Sequence, residues 1–303
     1  MKAWIIAFIL ISQANAVELF EETDWGSSTF SQTVNGYGEF GGDEAKDIDA
    51  PWNLSGNYNY YTTKDTSEAT EIVDKTNSYT VNGGWDGGGP SVNLKALFTN
   101  TPDEQLTSRG AAVIPSYSWK YLGESKGFSP YLLSKLTLGT VNYDQAARRT
   151  VRRKGAAATK ATTAELRQNQ VGISLSWKPM RQWRFGVGVD GYSYNKDVAQ
   201  FESRLDSRSA LSHMAAGFAN TVGGLPKVSY SAGIDWRITK ALNSSLRETY
   251  SIMAADDSVS TTTREVLEYT LTQAWRLSGG VEFDHSDSIT DTLAIAGLEW
   301  DSD

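Results

Sequence analysis

Cysteine is absent from the 303-residue chain, and histidine occurs only at His213 and His285. That excludes a disulfide framework and any thiolate or His-rich metal centre, so a metal ion would have only carboxylates to hold it. No metal site and no cofactor are therefore expected. Past the first dozen residues there is also no apolar run approaching the roughly 20 residues that a membrane-crossing helix needs. Helical spanning is excluded, and a membrane-resident chain would have to be a closed β-barrel, whose ladder pairs every backbone polar group. Positive charge is in deficit as well. The formal net charge is −8, or −9 without Lys2, which argues against general nucleic-acid binding.

What is present begins with targeting. Residues 1–16, MKAWIIAFILISQANA, carry one lysine, an apolar stretch and an Ala-Asn-Ala cleavage site. They read as a secretory signal peptide, with Val17 opening the mature chain. Residues 17–51 are acidic and weakly patterned, and are expected to form an N-terminal extension, with a short strand over 30–40 as the alternative.

The clearest pattern lies in residues 170–194. Val171, Ile173, Leu175 and Trp177 alternate with Gly172, Ser174 and Ser176; beyond a turn at 178–182, Trp183, Phe185, Val187 and Val189 alternate with Arg184, Gly186, Gly188 and Asp190. This is a hairpin with one apolar and one polar face. Similar period-two stretches recur from Trp52 to Trp300, and they predict an all-β fold: a transmembrane antiparallel up-and-down barrel of twelve strands over 52–303. Pro115 predicts a bulge or a weakened ladder in its strand. Turns at 86–90, 120–128, 178–182, 239–242 and 276 fall on one side, with longer loops on the other. Trp52, Trp85, Trp119, Trp177, Trp183, Trp236, Trp275 and Trp300 collect at the short-turn end, as an interfacial girdle would.

Lys95, Lys135, Arg184, Asp190, Asp235, Arg237, Glu268 and Glu282 fall on the polar faces of their strands and are the candidate lumen-lining residues. Both signs are present, so strong ion selectivity is not indicated. Arg148, Arg149, Arg152, Arg153 and Lys154 crowd the 143–162 loop, where clustered guanidinium groups suit an anion or a lipopolysaccharide phosphate; a merely solvated loop is the alternative. In the 196–226 loop, Phe201, Leu205, Leu211, Met214, Ala215 and Phe218 follow helical spacing. Folded inward, that helix would constrict a pore; left outside, it would cap the barrel or meet a partner. Asp284-His285-Ser286 invites a catalytic comparison, but adjacent strand residues point to opposite faces, so no catalytic residue is assigned.

The signal peptide, the period-two strands and the aromatic girdle together resemble outer-membrane β-barrel proteins of the porin-like kind, over about Trp52 to Trp300. The resemblance implies a cell outer-membrane location, contact with membrane lipid and lipopolysaccharide, and a passive channel or transporter for small solutes. The alternatives are a closed structural or surface-binding barrel, a rim enzyme and a secreted soluble β-protein. One departure is the tail Asp301-Ser302-Asp303, which follows the terminal aromatic Trp300.

Overall fold

The computed structural model describes residues 16–26, 29–40, 51–65, 72–87, 89–102, 105–120, 130–146, 163–203, 224–286 and 290–301. In chain order the strands are β1 (Ala16–Trp25), β2 (Thr29–Phe40), β3 (Trp52–Asp65), β4 (Ile72–Asp86), β5 (Pro90–Thr101), β6 (Leu106–Lys120), β7 (Tyr131–Gln145), β8 (Ala164–Met180) and β9 (Trp183–Tyr194). A single helical turn, α1 (Val198–Glu202), precedes β10 (Pro226–Arg237), β11 (Leu242–Met253), β12 (Val259–Thr270), β13 (Trp275–His285) and β14 (Thr290–Asp301). Each strand pairs with its sequence neighbours, and β14 returns to β1 in the register Glu18↔Asp301 to Trp25↔Ala294, closing the barrel.

The barrel therefore has fourteen strands, not twelve. The two additional ones, β1 and β2, come from the segment expected to be an N-terminal extension. Their pattern is weak because both faces are polar: Glu22, Asp24 and Ser31 are buried on the inner face, while Glu21 accepts a bond from Gln32 Nε2 (2.9 Å) on the outer one. Adding a pair of strands preserves even parity, so the short turns and long loops keep their sides, with β1 starting and β14 ending at the short-turn end. Residues 1–15, nearly all of the segment expected to be a signal peptide, lie outside the described residues.

Burial runs inside out relative to a soluble protein. On β8, Val171 and Ile173 are 57% and 56% exposed, whereas Gln168 and Gln170 on the opposite face are buried. The same inversion holds on β5, where Leu94 and Phe98 are exposed and Thr99 is covered, and on β4, where Thr76, Ser78 and Thr80 are covered and Val81 is exposed. A closed barrel with an apolar outer belt and a polar interior is the arrangement that a bilayer selects. Water would not favour it, since contiguous apolar surface on this scale drives association.

Aromatic rings edge the belt at the short-turn end. Trp52 pairs with Trp85 and Trp275 with Trp300. The rings of Trp183 and Trp236 stack at 5.1 Å, and those of Tyr117 and Trp119 meet at 4.6 Å. Their amphipathic rings suit the headgroup layer. The β6–β7 ladder lapses at Ile114 and Pro115 and resumes at Ser116↔Lys135, because proline has no N–H to donate. A register shift between Trp177 and Met180 precedes the Arg181–Gln182 turn that leads into β9.

This belt makes a direct prediction. Ile173→Arg places a charge four residues above the Trp177 girdle on the outer face. Folding titrations in lipid vesicles should show a loss of about 2–4 kcal/mol, the cost of arginine near a bilayer midplane. An exposed isoleucine in water would tolerate the change to within about 0.5 kcal/mol, and that smaller value would refute the belt.

Candidate lumen site

Alternation places one set of side chains inside. On β12, Arg264 shares the inner face with Glu268, four residues on, and its guanidinium gathers three carboxylates. It bonds Glu22 of β1, bonds Glu282 of β13 at 2.9 Å, and lies 3.7 Å from Asp24 of β1. Asp24 also accepts the Ser31 hydroxyl at 2.9 Å. Guanidinium is the group suited to such a task, because its planar fork serves several carboxylates at once. The cluster ties β12 and β13 to β1 across the closure. Nearby, Asp284 accepts the Thr262 hydroxyl at 2.7 Å and Asp291 accepts the Thr29 backbone N–H at 2.9 Å. Apart from Asp291, these groups line a cavity of about 460 Å³, bounded also by Tyr61 and Arg247.

Arg247 bounds a second cavity of about 470 Å³ toward the short-turn mouth, with Arg181, Arg184, Arg237, Asp235 and Glu268. There Asp235 bridges Arg247 at 2.6 Å and Arg184 at 3.8 Å, Arg184 donates to the Tyr131 hydroxyl at 3.1 Å, and Asn243 donates to Glu268 at 3.1 Å. The two cavities thus share a wall.

The candidates from sequence divide accordingly. Arg184, Asp235, Arg237 and Glu268 meet around the second cavity, and Glu282 joins the Arg264 cluster. Asp190 accepts Gln170 Nε2 at 2.8 Å and lies over Gly172, where a Cβ would collide with its carboxylate. Lys95 and Lys135 occupy the inner faces of β5 and β7, away from both cavities. Arg148, Arg149, Arg152, Arg153 and Lys154 lie outside the described residues. Sequence reading missed Arg264, Glu22, Asp24 and Asp291 as lumen residues, and Asp284 drew notice only beside His285. With them, inner-face acids outnumber bases around the first cavity, so the wall is less balanced than the candidate set suggested.

The outer mouth is narrowed on one side. Val198 and Phe201 of α1 are buried against Leu106, Val141, Tyr143 and Leu166, all on the inner faces of β6–β8. The first turn of the 196–226 segment is therefore folded inward, while Leu205, Leu211, Met214, Ala215 and Phe218 lie outside the described residues. Asp197 caps the turn by accepting Gln200 N–H at 3.2 Å. The chain's return is pinned by a relay: Tyr143 Oη donates to Gln168 (3.1 Å), Gln168 Nε2 to Tyr194 Oη (2.8 Å), and Tyr194 Oη to the Pro226 carbonyl (2.6 Å). Gly224, at φ 143°, takes a conformation that disfavours side chains, which lets Leu225 N–H reach buried Glu202 at 3.3 Å.

Asp284 and His285 point to opposite faces; His285 is exposed with Nδ1 3.0 Å from Thr290 Oγ1, and Ser286 is buried. The three do not converge on a reacting atom.

No family model and no curated protein matches the sequence. Among solved structures, the barrel is similar to the CymD monoaromatic hydrocarbon channel at 8% identity and TM-score 0.48, covering 99% of this chain and 91% of that one. It is also similar to the Acinetobacter baumannii outer membrane protein Omp33 (12% identity, TM-score 0.44, 94% and 96% covered) and to the KdgM porin (8%, 0.40, 93% and 98%). At these identities the likeness is one of fold.

Removing the central guanidinium tests the site. Arg264→Ala leaves Glu22, Asp24 and Glu282 facing one another and should cost about 2–4 kcal/mol in urea unfolding, the lower part of this range allowing for partial exposure. Adding Glu282→Gln should recover part of the loss. No recovery would show that packing, not charge balance, holds this wall.

Proposed function

We propose that the chain is a passive outer-membrane channel for small hydrophilic solutes and ions, with a preference for cations. The observation that carries this reading is the polar inner wall, where two charged cavities have Arg247 as a common lining residue. A barrel serving only as a scaffold has no need of hydrated volume along its wall. The acids Glu22, Asp24, Glu282, Asp284 and Asp291 near the loop end favour cations by simple electrostatics, while the arginines toward the short turns keep the preference moderate. Mixed charge on a narrow path also suits solutes that carry hydroxyl or carboxylate groups, since fixed donors and acceptors replace their lost hydration. Secretion by the residue 1–16 signal, with cleavage before Val17, fits delivery to that membrane. The inward turn α1 acts as a partial constriction.

Single-channel recording in planar bilayers tests the reading. Purified protein should give stable current, with a reversal potential in a KCl gradient displaced to the cation side. Glu282→Gln with Asp284→Asn should move that potential toward zero. Val198→Ala with Phe201→Ala should raise the conductance, because the apolar wedge at the outer mouth loses its bulk. Silence across several salts and voltages would instead support a closed structural or surface-binding barrel.

A further inference from the structure

Three strands share a spacing that lumen function does not use. Lys75 on β4, Arg109 on β6 and Arg167 on β8 each stand ten residues before a girdle tryptophan of the same strand: Trp85, Trp119 and Trp177. An even spacing keeps each pair on one face, and all three basic residues are exposed on the outer face of the barrel. Ten residues at about 3.3 Å each, tilted by about 40°, rise about 25 Å, the height of a barrel's apolar band. Lys75, Arg109 and Arg167 therefore stand level with the opposite membrane interface, where headgroups begin.

The register brings two of them together. Arg109 pairs with Asn142, and Asn142 with Arg167, so the two guanidinium-bearing positions are two strands apart, about 10 Å. Arg167 Nε donates to the uncharged Thr140 Oγ1 at 3.2 Å. Among the described residues the ion pairs lie elsewhere, in the lumen and at the Lys227–Asp257 rim. Asp144 and Glu165 share this outer face but stand two residues nearer the loops, so a group arriving from the membrane side meets the arginines first.

Directly below lies a mostly apolar groove of about 740 Å³, lined from the outer face by Leu94, Ala96, Ala111 and Val113 and reaching through this row of small residues to inner-face Lys95 and Gln170. Ala96 pairs with Ala111, and Ala111 with Thr140, in the row one step below Arg109; Leu94, Val113 and Leu138 flank it. A row of small side chains between larger ones admits an acyl chain, and cations stand at its headgroup end. The far side of the barrel differs, since exposed Glu248 and Glu265 on the outer faces of β11 and β12 would repel an anion.

We infer that Lys75, Arg109 and Arg167, with the groove over Ala96 and Ala111, form a binding site for a phosphate-bearing lipid of the outer leaflet. The phosphates sit against the basic line and one acyl chain lies in the groove. The inference rests on the membrane reading above but not on the channel being open.

Native mass spectrometry of the mature protein released from phosphatidylcholine nanodiscs tests it, with bisphosphorylated lipid A as the probe. Wild-type protein should retain lipid A, and Lys75→Gln/Arg109→Gln/Arg167→Gln should weaken retention on the order of 100-fold, with each single change near fivefold. Ala111→Phe should weaken it with the charges intact, and Lys240→Gln, on a short-turn loop, should not. Channel conductance should be unchanged in the triple variant, which separates loss of the lipid site from loss of the barrel. Equal retention of dephosphorylated lipid A would overturn the proposal, as would full retention by a folded triple variant. Displacement by inorganic phosphate at equal concentration would also overturn it, by marking a free-anion site. A dimer lost in the triple variant without change in lipid retention would reassign this face to a second copy of the chain.

Discussion

Closure of β1 onto β14 is the constraint on which the rest of this structure depends. In hydrocarbon an unpaired backbone N–H or C=O costs several kcal/mol, and an open sheet edge would present a whole row of them. The eight residues from Glu18 to Trp25 that pair with β14 therefore decide whether any of the other strands can reside in a membrane. The chain assigns this seam a device of its own. Arg264 reaches from β12 to Glu22 and Asp24 on β1 while holding Glu282 on β13, so ionic contacts tie β1 to strands beyond β14 in addition to the β1–β14 ladder.

Closure then dictates where polarity goes. With period-two alternation each strand has one face for lipid and one for the lumen, and the burial pattern follows that division from Thr76 on β4 to Ile295 on β14. The seam device lies on the lumen face, where water and neighbouring hydroxyls lessen the cost of gathering three carboxylates around one cation. The same residues that close the barrel thereby give its interior an electrostatic character. Structural support and the electrostatics of the lumen are not separable at Arg264. They are separable at α1, whose apolar turn contributes to the mouth without touching the seam.

Much of this was legible in the chain where one face is apolar and the other is not. The hairpin around 178–182 has the strands, the alternation and the tryptophan placement that its sequence implies, and Pro115 interrupts its ladder as expected. The strand β2 was legible only as the 30–40 alternative and β1 not at all, because a lipid face that includes Glu21 and Thr23 on one strand and Gln32 on the other has no hydrophobic period to detect. Only closure, a property of the whole sheet, requires them. Arg264 was hidden in a similar way: it follows three threonines, and its partners Glu22 and Asp24 lie some 240 residues earlier in the chain. A local signal did exist, since Glu268 lies on the same face four residues on. The inward fold of Phe201 was one of two arrangements that its helical spacing allowed, and the choice rests on Leu106, Tyr143 and Leu166, from strands distant in sequence.

Strand β10 offers the most direct measurement of whether a single wall separates lipid from a hydrated lumen. Because the chain has no cysteine, single cysteines can be placed in turn at Tyr230, Ser231, Ala232, Ile234 and Asp235 and challenged in sealed vesicles with a membrane-impermeant thiol reagent. Labelling at Ser231 and Asp235, with protection at Tyr230, Ala232 and Ile234, is the predicted result. Uniform labelling would contradict the lipid-facing wall, and uniform protection would contradict the hydrated lumen.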